Sequence, residues 1–140
     1  MIPTAFGVRA VDKKEFAMAS IIVMSGVQKD TYYPLGRRTN VVGRDEALPI
    51  QILDPRVSRK HMRIRFDPEK VRYNAADIGS KHGVYINSRR IDHEKVLTEG
   101  DQIRIGGTFL LFTQEDFSDH QNALNHYKKA GERMRGTFTG

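Results

Sequence analysis

Ser58, Arg59, Lys60 and His61 occupy four consecutive positions: a hydroxyl, two cations and an imidazole. Three other stretches carry groups of the same kind: "GRRTNVVGRD" around Arg44, "DIGSKHG" with Lys81 and His82, and "NSRR" after Ile86. The chemistry such a set shares is anion binding. A phosphate is held by a planar guanidinium that pairs with two oxygens, by short hydroxyl donors, and by backbone N–H groups bared next to glycine. Arg44, Ser58, Arg59, and Lys81 close to Gly79 supply those groups. Other chemistries fit poorly. His61, His82 and Asp77 include no pair at metal-ligand spacing on one element. Ser58 with His61 has no nucleophile-elbow setting and no identifiable orienting acid. A binding protein that needs no cofactor or metal is expected, not an enzyme.

These loops need strands to hold them. After Ser58 to His61 the chain alternates Met62, Ile64 and Phe66 with Arg63 and Arg65, the pattern of a half-buried strand. Similar short runs follow one another from Ser20 onward: "SIIVMSG", "TYYPLG", "TNVVG", "PIQIL", "VRYNAADI", "GVYIN", "DQIRIG" and "TFLLFTQ". Glycine, proline or aspartate punctuates them, as in "DPEK", where Pro68 suits the second position of a type I turn. Many short strands at close spacing predict an all-β sandwich or barrel. Loops of a sandwich gather at its two ends, so several basic loops are expected on one rim. Arg63 and Arg65 are expected on the solvated face of their strand.

Composition narrows the partners. A 140-residue chain with a net charge of +6 favours an anionic ligand. It has no cysteine, which excludes disulfides and zinc–thiolate sites. No apolar run is long enough for a membrane span. Asp12, Lys13, Lys14 and Glu15 interrupt the place where a signal peptide would be apolar. A cytoplasmic protein that does not engage membranes is expected.

The two ends read differently from the middle. Residues 1–19 lack periodicity and are expected to form an arm. Residues 118–140 predict a short basic helix and tail. Ser118 and Gln121 have capping-box spacing, and Leu124, Tyr127 and Met134 recur at helical intervals among Lys128, Lys129, Arg133 and Arg135.

Four ordered pieces sharpen the reading of residues 20–117: Gly43-Arg44, Ser58-Arg59-Lys60-His61, "DIGSKHGVYIN" ending at Asn87, and "LTEGDQIRIGG". Together they resemble the forkhead-associated (FHA) domain family. The resemblance implies a β-sandwich of about eleven mostly antiparallel strands, binding phosphothreonine peptides through loops at one end. It also implies roles for single residues. Arg44, Ser58 and Arg59 would contact the phosphate or the peptide. Gly43, His61 and Asn87 would brace the loops.

The chain departs from the family at Lys81 and His82, where threonine and asparagine are common. Lys81 replaces a hydroxyl with a charge. His82 carries one donor and one acceptor when neutral but two donors when protonated, so peptide binding is expected to vary with pH. The partners implied are proteins phosphorylated on threonine by a Ser/Thr kinase. The chain's own tail, with Thr137 and Thr139, is a further candidate ligand once phosphorylated, and Thr4 a weaker one. Two rival readings are a phosphate-independent assembly domain and a nucleic-acid binder. The second lacks an aromatic-studded sheet surface, and no specific nucleic acid is expected.

Overall fold

The structure is a computed structural model, and it describes residues 19–114. The expected arm and the expected C-terminal helix lie outside the described residues, apart from Ala19. Eleven strands form two sheets. The strands are β1 (Ser20–Val23), β2 (Tyr32–Pro34), β3 (Asn40–Gly43), β4 (Ile50–Gln51), β5 (Met62–Asp67) and β6 (Arg72–Asp77). They continue with β7 (Val84–Ile86), β8 (Arg89–Arg90), β9 (Lys95–Val96), β10 (Gln102–Ile105) and β11 (Thr108–Thr113).

One sheet has the order β2-β1-β11-β10-β7-β8, the other β4-β3-β5-β6-β9. Every pairing is antiparallel except the parallel β3–β4 contact. The expected all-β sandwich is therefore the observed one.

Alternation along the strands explains the core. On β5, Met62, Ile64 and Phe66 are buried while Arg63, Arg65 and Asp67 are only partly covered. They share one core cluster with Val42, Ile50 and Tyr73 of their own sheet, with Ile21, Val84, Ile103 and Phe112 of the other, and with Ile52 just after β4. Tyr73 packs edge-on against Phe112, with ring centroids 5.8 Å apart, and its hydroxyl donates to the Gly36 carbonyl at 2.6 Å. The buried tip of the largest core side chain is thus satisfied. Arg65 forms a two-pronged pair with Glu94 at 2.9 and 3.1 Å, and Arg63 lies 3.8 Å from the same carboxylate. The cations of this strand face thereby share one carboxylate.

Two short strands went unseen in the sequence. "NSRR" reads as a separator, yet only Asn87 and Ser88 turn, with φ of 50° and 73°. Ile86 then pairs with Arg89 and Tyr85 with Arg90. Two consecutive positive φ values are the mark of a type I′ hairpin turn, whose twist suits its flanking strands. β9 is only two residues long and sits on the sheet edge beside β6. Neither is long enough to show periodicity.

Candidate functional site

The loop after β4 descends from Ile52 through Asp54 to Ser58 and runs past the ends of three other connections. Gly43 marks the closest crossing. A Cβ there would collide with the Arg59 carbonyl and the Leu48 side chain, so only glycine lets β3 pass. Across this crossing Arg44 N donates to Ser58 O at 3.0 Å, and Asp45 N donates to Arg59 O at 3.2 Å.

His61 ties the next pair of loops. Its ring is 0% exposed. Nδ1 accepts from the Ser58 N–H at 3.0 Å, which leaves Nε2 as the protonated nitrogen, donating to the Gly83 carbonyl at 2.8 Å. Burial pushes the imidazole below its ordinary pKa of 6.5, outweighing the Gly83 carbonyl and the charge of Asp77, which act the other way. A neutral ring is what the geometry requires, because a second ring proton would point at the Ser58 N–H.

The Asp77-to-Gly83 connection is held from within. Asp77 accepts from the Gly79 and Ser80 N–H groups and from the Ser80 hydroxyl, while Ser80 Oγ accepts from Gly83 N at 2.8 Å. That brings Lys81 N within 3.0 Å of Ser58 Oγ, to which it donates.

A third brace is Asp54, also buried. One of its oxygens accepts from the Arg56 N–H and guanidinium; the other accepts from the Gly107 N–H and the Thr108 hydroxyl. Burial would raise this carboxyl, but those four hydrogen bonds outweigh it and hold the group below the usual carboxylate range. The β10–β11 turn is thereby clamped to the loop that carries Ser58. Gly106 takes φ +59°, as the first position of a II′ hairpin turn demands.

Between the loops lies an open depression of about 240 Å³ lined by Arg44, Pro55, Arg56, Val57, Ser58, Lys81 and His82. Three cations line it, and no carboxylate does. Arg44 Nε is anchored on the Val57 carbonyl at 2.9 Å, which leaves the rest of its guanidinium without a protein acceptor among the described residues. Ser58 Oγ accepts from Lys81 N, and its own O–H has no acceptor among the described residues. Chemically this is a preorganised set of donors for a compact anion.

A model of the FHA domain matches residues 40–106, a span that contains every residue lining the depression. A glycogen accumulation regulator, GarA, from Mycolicibacterium smegmatis is 30% identical over 116 residues, covering 83% of this chain and 72% of the relative. The chain belongs to the FHA domain family. An oxoglutarate dehydrogenase inhibitor from Corynebacterium jeikeium is 33% identical over 94 residues. That match covers 67% of this chain, and this FHA chain spans 63% of the inhibitor's length. Among solved structures, one described under phosphothreonine-dependent FHA domain interactions matches with a TM-score of 0.63 and 26% identity. It covers 71% of this chain and 99% of its own.

The FHA fold places the sequence-derived residues unequally. Arg44, Ser58, Lys81 and His82 line the depression, whereas Arg59 does not. Its side chain is 76% exposed and points toward Asp45, 4.0 Å away. Asn87 takes part in bracing of a different kind. Its N–H and side chain bond Gln102 and Asp101, at the opposite end of β7 from Gly83.

Sequence reading missed Arg56 and Asp54. Arg56 stands two residues before Ser58, in "DPRVSRKH", but reads like any turn cation. Asp54 before Pro55 looked like a plain turn residue, and its partners Gly107 and Thr108 are more than fifty positions away. Among the described residues no group of three or more histidines and carboxylates is placed to hold a metal ion. No described helix is long and apolar enough to cross a membrane.

Proposed function

We propose that this FHA domain is a phosphothreonine-peptide-binding module, which recruits protein partners after a Ser/Thr kinase has phosphorylated them. One observation carries this reading. Three cations and a serine hydroxyl with an unspent proton converge on one depression that no carboxylate lines. A phosphate carries up to two negative charges and three acceptor oxygens, so it meets a matching set of donors here.

Arg44 is the principal phosphate ligand, fixed by its Nε bond to Val57. Ser58 donates its hydroxyl to a phosphate oxygen. Lys81 and His82 lie on the wall where the peptide emerges. Gly43 and His61 hold the loops in register without touching the ligand. The module itself performs no chemistry, and the sites named here need no cofactor.

Calorimetric titration tests the reading. Degenerate peptide pools carrying phosphothreonine, phosphoserine or unmodified threonine are titrated into the wild type and into Arg44→Ala. Binding is expected only for the phosphothreonine pool and is expected to weaken in the variant. Equal binding of the unmodified pool would show a phosphate-independent assembly domain instead.

A further inference from the structure

The six-stranded sheet carries cations on its outer side, close to the rim. Val84, Ile86, Ile103 and Ile105 of β7 and β10 point into the core. By alternation, Tyr85 and Arg104 between them point outward. These two face each other in the β7–β10 ladder, and Arg90 of β8 faces Tyr85 from the other side. Arg90, Tyr85 and Arg104 thus form one row across three strands, about 10 Å from end to end. The Arg104 guanidinium lies over the Tyr85 ring, 4.1 Å from its centroid, and donates to the Gly106 carbonyl at 3.1 Å.

Both ends of the row reach the phosphate depression. At one end the Arg90 guanidinium packs over Gly83, the residue after His82 of the depression. At the other, Arg104 holds Gly106, and the neighbouring Gly107 lies under the guanidinium of Arg56, which also lines the depression. Strands β7, β8 and β10 contain no acidic residue. Among the described residues neither Arg90 nor Arg104 pairs with a carboxylate. Arg90 is exposed, and Tyr85 and Arg104 are partly so. A cation on the edge strand β8 is ordinary protection against edge pairing. Arg104 has no such explanation, because β10 is an inner strand.

We infer that this row is a second contact for the bound partner, taking an acidic stretch that flanks its phosphothreonine. The inference rests on the phosphothreonine reading and adds the chemistry of the flanking sequence. Charge complementarity selects the occupant. A chain leaving the depression over Gly83 and Gly106 reaches the level of Tyr85 within about 7 Å, two extended residues. There its carboxylates meet Arg90 and Arg104, the latter held in place by its stack on Tyr85. A nucleic-acid strand fits less well, since Arg104 already takes one face of the row's single aromatic ring from base stacking.

Titration of phosphothreonine peptides with one core and different flanks tests the inference. Glutamates or glutamines occupy positions about three to six residues from the phosphothreonine, on its N-terminal or its C-terminal side. In low salt the wild type is expected to bind one glutamate-flanked peptide about fivefold tighter than its glutamine counterpart, the yield of two exposed ion pairs. High salt is expected to erase that advantage. Arg90→Gln combined with Arg104→Gln is expected to abolish it in low salt, with Tm and the affinity for the glutamine-flanked peptide nearly constant. Equal binding of both flanks by the wild type would overturn the inference and leave the phosphothreonine reading intact. An acidic preference that persists in the double variant would do the same. Binding of none of the phosphopeptides would overturn both. A single-stranded oligonucleotide bound by the wild type and lost in the double variant would give the row to nucleic acid instead.

Discussion

The rim of this FHA domain has two halves built from the same loops, and they obey opposite rules. In one half His61 and Asp54 are buried, and their polar side-chain atoms are matched by protein partners. In the other half Arg44, Arg56, Lys81 and His82 are exposed and gather without an acidic residue among them. Arg44 is anchored on the Val57 carbonyl, and Arg56 alone reaches a carboxylate, Asp54 at 3.3 Å. The like charges are thus held together from behind, by a neutral imidazole, by backbone bonds and by the carboxylates of Asp54 and Asp77, with no acidic residue lining the depression itself. Ordering costs are met when the domain folds, so little remains to be ordered when a ligand arrives. A change in the buried half should therefore cost stability and affinity together, and a change in the exposed half should cost affinity alone.

The largest effect is expected for His61→Ala. It leaves the Ser58 N–H and the Gly83 carbonyl without partners in a dry site and opens a cavity. A loss of about 2–4 kcal/mol in stability follows, read by urea unfolding, with phosphopeptide affinity falling in parallel. A variant as stable as the wild type but weaker in binding would erase the distinction between the halves.

Next comes Arg44→Ala, expected to weaken phosphothreonine-peptide binding by about 1.5–3 kcal/mol while Tm stays nearly constant. Unchanged affinity in calorimetry would remove Arg44 from the ligand half. Asp54→Asn follows, at about 1–2 kcal/mol of stability. The amide keeps the shape but gives up the charge that its four donors address. Hydrogen exchange at Gly107 should report the loosened clamp, and unaltered protection there would refute it.

The buried half also predicts a pH response. Because burial holds His61 below 6.5 in the folded state, the unfolded chain takes up a proton that the folded one refuses. Stability is therefore complete above about pH 6.5 and declines as pH falls below it. His61→Gln should flatten that limb of the profile; a slope that persists in the variant would point to another group.

The smallest effect separates structure from expectation. Arg59→Ala should change affinity by no more than about 0.5 kcal/mol, since its exposed side chain lies outside the depression. A tenfold loss would mean that the ligand reaches past the depression to the Asp45 side.

Legibility in the sequence tracked range. β5 was plain because Met62 to Phe66 alternate over enough positions to show a period of two. β8 and β9 have two residues each, and no period can be seen in two. Ser58, Arg44 and Lys81 stood out because donors, cations and glycines were bunched within a few positions. Asp54 did not, since what makes it a brace is its contact with Gly107 and Thr108 across the sandwich.

The sequence by itself determined the all-β class, the solvated side of β5 and the cationic, hydroxyl-bearing character of the loops. Each is written in neighbouring residues and in their preference for water or for a core. Only the tertiary structure decided which cations share one depression. It set Arg56 inside and Arg59 outside, although both flank Ser58 closely, and turned Asn87 toward Asp101. A side chain's direction at a loop crossing depends on what the other loop presents there, and that other loop is set by packing far along the chain.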